Sequence, residues 1–142
     1  MTVEELLQLP TIKGLKLISG NLGVHREIST VTVVDTPDGF QWLKGNEVVI
    51  TTTYALEKTP NSFLDFISKL LSRNISALIV KSDRYIKVIP ENAKKLCDEK
   101  ALPLIYCPAI YAFADIINPT LSGIISKRIF QDSREFPGTG NK

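Results

Sequence analysis

Leu43-Lys44-Gly45-Asn46-Glu47-Val48-Val49-Ile50-Thr51-Thr52-Thr53-Tyr54 is the stretch whose reading decides the fold. Val48-Val49-Ile50 is short, β-branched and apolar at every position, behind a Gly45-Asn46 turn. A strand buried on both faces reads this way, whereas a half-exposed one alternates. Three hydroxyl residues and a tyrosine then follow. In an open α/β sheet, ligands settle at the carboxyl ends of the strands, and hydroxyls there both donate and accept. Thr51, Thr52, Thr53 and Tyr54 are therefore expected to face any small molecule this chain binds.

Working outward, Phe63, Phe66, Ile67, Leu70 and Leu71 fall at i, i+3, i+4, i+7 and i+8, which predicts a helix after the central strand. Thr59-Pro60 supplies its start and Asn74 a left-handed stop. Ala77-Leu78-Ile79-Val80 is a second fully apolar strand, followed by Lys81-Ser82-Asp83-Arg84. Tyr85–Ile89 reads either way. Pro90-Glu91 opens another helix, with Ala93, Leu96, Cys97 and Ala101 on its inner face, and Leu104-Ile105-Tyr106-Cys107 is the last strand. Strand, helix, strand, helix, strand at this spacing predicts right-handed crossovers and a parallel sheet.

Towards the N-terminus, Thr2 and Glu5 form a capping box for a short helix over Val3 to Leu9, closed by Pro10. The β-rich runs Leu15–Ser19 and Val31–Val34 have no helix between them, so they are expected to pair as an antiparallel hairpin at the sheet edge. Asp35-Thr36-Pro37-Asp38-Gly39 is a turn cluster. At the other end, Phe113 to Phe130 predicts a linker helix carrying Ile116, Ile117, Leu121, Ile124, Ile125 and Ile129, kinked or restarted at Asn118-Pro119. The fold class is thus α/β, a mainly parallel sheet flanked by helices. Residues 1–132 form one regulatory unit, and 133–142, without periodicity, form a disordered tail or vector-derived remnant.

With 142 residues, 44% of them hydrophobic, the chain can bury one sizeable core. A net charge of +2, with no basic block, argues against a nucleic-acid surface on this segment. No run is long enough to span a membrane, and the acidic start is not a signal peptide. Cys97 and Cys107 lack metal-ligand spacing and read as free thiols, which suits a reducing cytoplasm.

The order Thr2-Val3-x-Glu5-Leu6-Leu7, Gly20-x-x-Gly23, then Gly45-x-Glu47-Val48-Val49-Ile50-Thr51-Thr52-x-Tyr54-Ala55-Leu56 resembles the amino-terminal domain of the purine-catabolism regulator (PucR) family. Ile75–Lys81, Arg84-Tyr85, Ile89-Pro90-Glu91 and Leu102–Ile105 look like the same domain, so the resemblance spans nearly the whole chain. It implies a bacterial transcription regulator whose DNA-reading helix-turn-helix lies in a further carboxy-terminal part. It also implies a purine-related effector as the first to try. The chain departs from the family at Thr53, where glycine is usual, and a Cβ there narrows the approach to the strand end.

Each candidate residue carries a plain structural reading beside the functional one. The Thr51–Thr53 hydroxyls either meet a ligand or bond the local backbone. Lys81 either offers charge to a ligand or pairs with a nearby acid in a solvated loop. Asp35 and Asp38 suit acid–base work or a cation, but turn and capping duties explain both. Tyr106 and Cys107 end the last strand beside the same crevice, with the thiol expected to be packed. His25 has no neighbouring nucleophile or second ligand, and Gly20-x-x-Gly23 is no phosphate loop. Trp42 is expected in the core.

The reading that follows is a sensor domain of a transcription regulator, cytoplasmic, with no catalytic residue, metal or cofactor. Its expected ligand contacts are Thr51, Thr52, Thr53, Tyr54, Lys81, Asp35 and Tyr106. Its expected partners are a small-molecule effector and a second copy in a homodimer, through the Ile116–Ile129 stripe, with DNA reached only through the further domain. A structural dimerisation module without ligand is the alternative, and a small-molecule enzyme a weaker one.

Overall fold

Lys16–Ser19 (β1), Thr30–Val33 (β2), Glu47–Thr51 (β3), Ala77–Lys81 (β4) and Leu104–Cys107 (β5) form one sheet in the computed structural model. The structure describes residues 1–52, 62–82 and 89–135, with 131–135 by backbone alone. The strand order is β1-β5-β4-β3-β2. β2, β3, β4 and β5 are mutually parallel, and β1 runs antiparallel to β5. The fold is α/β, and the three strands expected to lie side by side and point the same way do so.

Among the described residues the α-helices are Val3–Leu7 (α1), Ser62–Ser72 (α2), Glu91–Glu99 (α3) and Phe113–Glu135 (α4). They cover two separate faces of the sheet. Phe63, Phe66, Ile67 and Leu70 of α2, with Ala93 and Cys97 of α3, pack on Val49, Leu78, Val80 and Leu104. On the other face Val3 and Leu6 of α1, with Ile116 and Ile124 of α4, pack on Val48, Ile50, Ala77, Ile79 and Ile105. Alternating strand residues thus feed two cores, which is why Val48–Ile50 of β3 and Ala77–Val80 of β4 are apolar at every position. All five β3 residues are buried.

The expected N-terminal hairpin does not form. β1 and β2 occupy opposite edges, and β2 is parallel to β3. Between them, residues 20–29 pass beneath the amino ends of β5, β4 and β3. Four inter-strand steps of about 4.8 Å make some 19 Å, within reach of that segment. Arg26 marks the passage: its guanidinium donates to Ala101 O (2.9 Å), Lys100 O (2.9 Å) and Ile75 O (3.3 Å). Gly20, at φ +75°, donates its N–H to Asp98 Oδ1 at 2.6 Å, and a Cβ there would collide with the Leu102 carbonyl. A Cβ on Gly23 would collide with that of Ala101. The Gly20-x-x-Gly23 pair therefore serves close backbone approach.

Several local expectations hold. Thr2 and Glu5 form the capping box of α1, and Asn74 takes a left-handed φ of 56°. α4 continues unbroken through Pro119 and past Ser133 to Glu135. Trp42, expected in the core, stands 81% exposed on a single 3-10 turn; its neighbours Phe40 and Leu43 turn inward instead. Thr59-Pro60 and residues 85–88 lie outside the described residues. No helix among the described residues is long and apolar enough to cross a membrane.

Candidate functional site

Parallel pairing brings the carboxyl ends of β2, β3, β4 and β5 to one edge of the sheet. Thr51 stands opposite Val80, and Val80 opposite Tyr106. Alternation from Val49 and Val80 places Thr51 and Tyr106 on the face that carries α2 and α3. They are separated by one strand, so roughly 10 Å of sheet lies between their backbones. Lys81 and Cys107 pair in the next row and belong to the opposite face.

The residues expected to form one site therefore divide. Asp35, one residue beyond Val34, comes together with Thr51 and Thr52. The Thr52 N–H donates to Asp35 Oδ1 at 2.7 Å, and the Thr51 hydroxyl donates to the same oxygen at 3.2 Å. Val34 N–H to Ile50 O, at 2.9 Å, holds the two strand ends level. Among the described residues, Asp35 Oδ2 takes no bond. Thr53 and Tyr54 lie outside the described residues.

Lys81 joins a different arrangement. The chain leaving β4 returns through α3 on one face, while the chain leaving β5 passes into α4 on the other, and such divergence is where open α/β sheets form crevices. Lys81 closes this one, with no acid paired to it among the described residues. Its ammonium donates to Ala109 O at 3.0 Å and sits 5.3 Å from the Phe113 ring centroid. Cys107 is buried beneath it, and desolvation pushes its thiol up to about 11. Cys97, behind β1, is pushed to about 12 by burial, then by the Asp98 charge. Both thiols are protonated at neutral pH and make poor nucleophiles.

Asp35 also lines a groove of about 630 Å³ that runs along β2. One wall is Thr30 to Thr36, and the other is the crossover between β2 and β3, including Trp42, Leu43 and Lys44. Glu47 at its floor is buried, and its carboxylate accepts the N–H groups of Lys44 (2.6 Å) and Gly45 (2.8 Å), so it shapes the turn. A carboxylate acceptor, threonine hydroxyls and an exposed indole together suit a small polar molecule carrying N–H donors and a flat face. Trp42, Thr30 and Thr32 were not expected here. The Thr-Val-Thr-Val alternation signals the two threonines, but nothing local signals an exposed tryptophan. Among the described residues no cluster of three or more His, Cys, Asp or Glu is placed to hold a metal ion.

Comparison with known proteins adds the kinship. The sequence model of the purine catabolism regulatory protein-like family matches residues 5–124. A curated purine catabolism regulatory protein of Bacillus subtilis (strain 168) is 33% identical over 128 residues. That match covers 90% of this chain and 24% of the relative, so the chain spans about a quarter of the relative's length.

Proposed function

The chain belongs to the purine catabolism regulatory protein-like family, and on that premise we propose that it is the sensor domain of a cytoplasmic transcription regulator. It binds a small metabolite at Asp35, Thr51 and Thr52 and passes the event along α4 to a DNA-binding part elsewhere in the protein. One observation carries the reading. An Asp35 carboxylate, held by the end of β3 through one oxygen, is part of the lining of a groove of about 630 Å³. The ligand class that fits is a neutral or cationic molecule rich in N–H donors, and purine-pathway intermediates are the first to try. Such a ligand shifts the regulator only through different affinities for its two states.

A thermal-shift screen tests this, because a ligand that binds only the folded state raises the melting point. The matched variant is Asp35→Asn, which keeps an acceptor for Thr52 N–H and loses the carboxylate charge. A shift with the native chain that disappears in the variant supports the site. No shift with any intermediate, or a shift fully retained in the variant, overturns it.

A second reading is favoured by α4. Ile116 and Ile124 are buried, but Ile125 and Ile129 on the same helix are 53% and 63% exposed. Apolar residues left outside in this way suit self-association, and a homodimer would place two DNA-reading parts on paired half-sites.

A further inference from the structure

We propose that two copies of this chain join through their β2 edges, antiparallel about a twofold axis at Thr32, into one continuous sheet. This rests on the homodimer reading and assigns it a surface. Among the described residues, no strand lies beyond β2. Val34 directs its N–H to Ile50 O. By the alternation of a parallel pair, Thr32 also faces β3, whereas the backbone groups of Val31 and Val33 point outward.

The two edges of the sheet are treated differently. β1 carries Lys16 at its exposed start, has an irregular register between Leu17 and Ser19, and has α3 packed against it. A charge, a bulge and a cover are the usual protections of an edge. β2 also has a helix against it, α4, but neither a charge nor a bulge in its register: Thr30-Val31-Thr32-Val33 is uncharged, β-branched, free of proline and evenly paired to β3. An edge of this composition is a template for another strand.

Its outward groups also suit a second copy of itself. With Thr32 on the axis, Val31 of one copy lies opposite Val33 of the other. Each such pair exchanges two backbone hydrogen bonds, and the two threonines meet between them. A strand of four residues covers too little area alone, since stable pairs bury about 800 Å² per partner. The remaining area is at hand on both flanks. Trp42 stands exposed along the groove. Val33 is 37% exposed on the face where α4 packs against β2 and leaves Ile125 and Ile129 outside. The same axis sets the Asp35 end of each groove beside the second copy, so ligand binding and pairing share a boundary.

Amide hydrogen exchange on the 142-residue chain, dilute and concentrated, is the direct test, with sedimentation giving the mass. A dimer at high concentration in which the Val31 and Val33 amides gain about tenfold or more protection, while Thr32 stays unchanged, supports the proposal. Val33→Pro removes only an outward N–H, which an edge strand tolerates, and is expected to give a folded monomer. A chain that stays monomeric at every concentration overturns both the edge and the homodimer reading, and leaves β2 for a different strand. A dimer with Val31 and Val33 exchanging as in the monomer, dissociated by Ile129→Lys, overturns the edge alone. If Val33→Pro does not fold, the exchange pattern of the unmodified chain decides.

Discussion

Lys127, in the outer half of α4, places its ammonium 2.8 and 2.9 Å from the two carboxylate oxygens of Glu5 in α1. Glu5 is also the capping-box acceptor for Thr2 N–H at 2.8 Å. One carboxylate thus caps the first helix and holds the last. Lys127 first, and the Thr2 backbone second, lower Glu5 from 4.5 to about 2. The hydrogen bond to Glu5 raises Lys127 above its ordinary value. A carboxylate depressed in the folded state adds stability that is present above its unfolded value and lost as pH falls from about 4.5 towards 2. The raised lysine adds stability that is lost only as pH climbs beyond 10.5. Glu5→Gln keeps the cap, since glutamine serves at that position, and removes the charge. Its melting temperature is expected within about 3 °C of the native chain at pH 7, the pair being half exposed. The gap is expected to close by pH 2, as followed by circular dichroism.

At the strand ends, Asp35→Ala removes the oxygen to which Thr52 N–H and the Thr51 hydroxyl both donate. A cost of about 1–3 kcal/mol is expected in urea unfolding, against under about 1 kcal/mol for Asp35→Asn. Equal costs for the two would show that the acceptor oxygen is not what joins β2 to β3.

Arg26→Lys is expected to destabilise nearly as much as Arg26→Ala, by roughly 2 kcal/mol. A single ammonium cannot reproduce a fork that reaches three carbonyls. Gly23→Ala is expected to cost roughly 2–4 kcal/mol, because backbone rather than a flexible side chain stands where its Cβ would go. Chemical denaturation of the three variants checks both statements.

Both thiols are expected to resist alkylation at pH 8 while the chain is folded and to react fully in denaturant. Burial holds them at about 12 and about 11. Rapid modification of Cys107 under native conditions would mean that the Lys81–Ala109 closure opens readily.

The elements that read correctly from sequence are those whose burial is complete or strictly periodic. Val48–Ile50 and Ala77–Val80 are apolar throughout because both faces are covered, and the α2 stripe buries Phe63, Phe66, Ile67 and Leu70. The hairpin was misread because turn chemistry at Gly20–Gly23 looks the same whether the chain reverses or runs on beneath a sheet. The deciding contacts, Gly20 to Asp98 and Arg26 to Ala101, lie more than seventy residues away. That Thr51 and Thr52 end a central strand at the carboxyl edge of the sheet was legible. The division of the expected site was not, because Lys81 follows Val80 by one residue and a single step along a strand changes face. Trp42 was assigned to the core by residue type, whereas a single helical turn of four residues can turn only some of its side chains inward.

The segment slung under the sheet between β1 and β2 also governs the order of assembly. β1 is made early, yet the strand it lies against, β5, ends at Cys107, and Arg26 waits for carbonyls of residues 75, 100 and 101. A growing chain on the ribosome therefore carries its first strand unsatisfied until Leu104–Cys107 emerges. High contact order of this kind slows folding. Any truncation before Leu104 is expected to leave an aggregation-prone remnant rather than a smaller working unit.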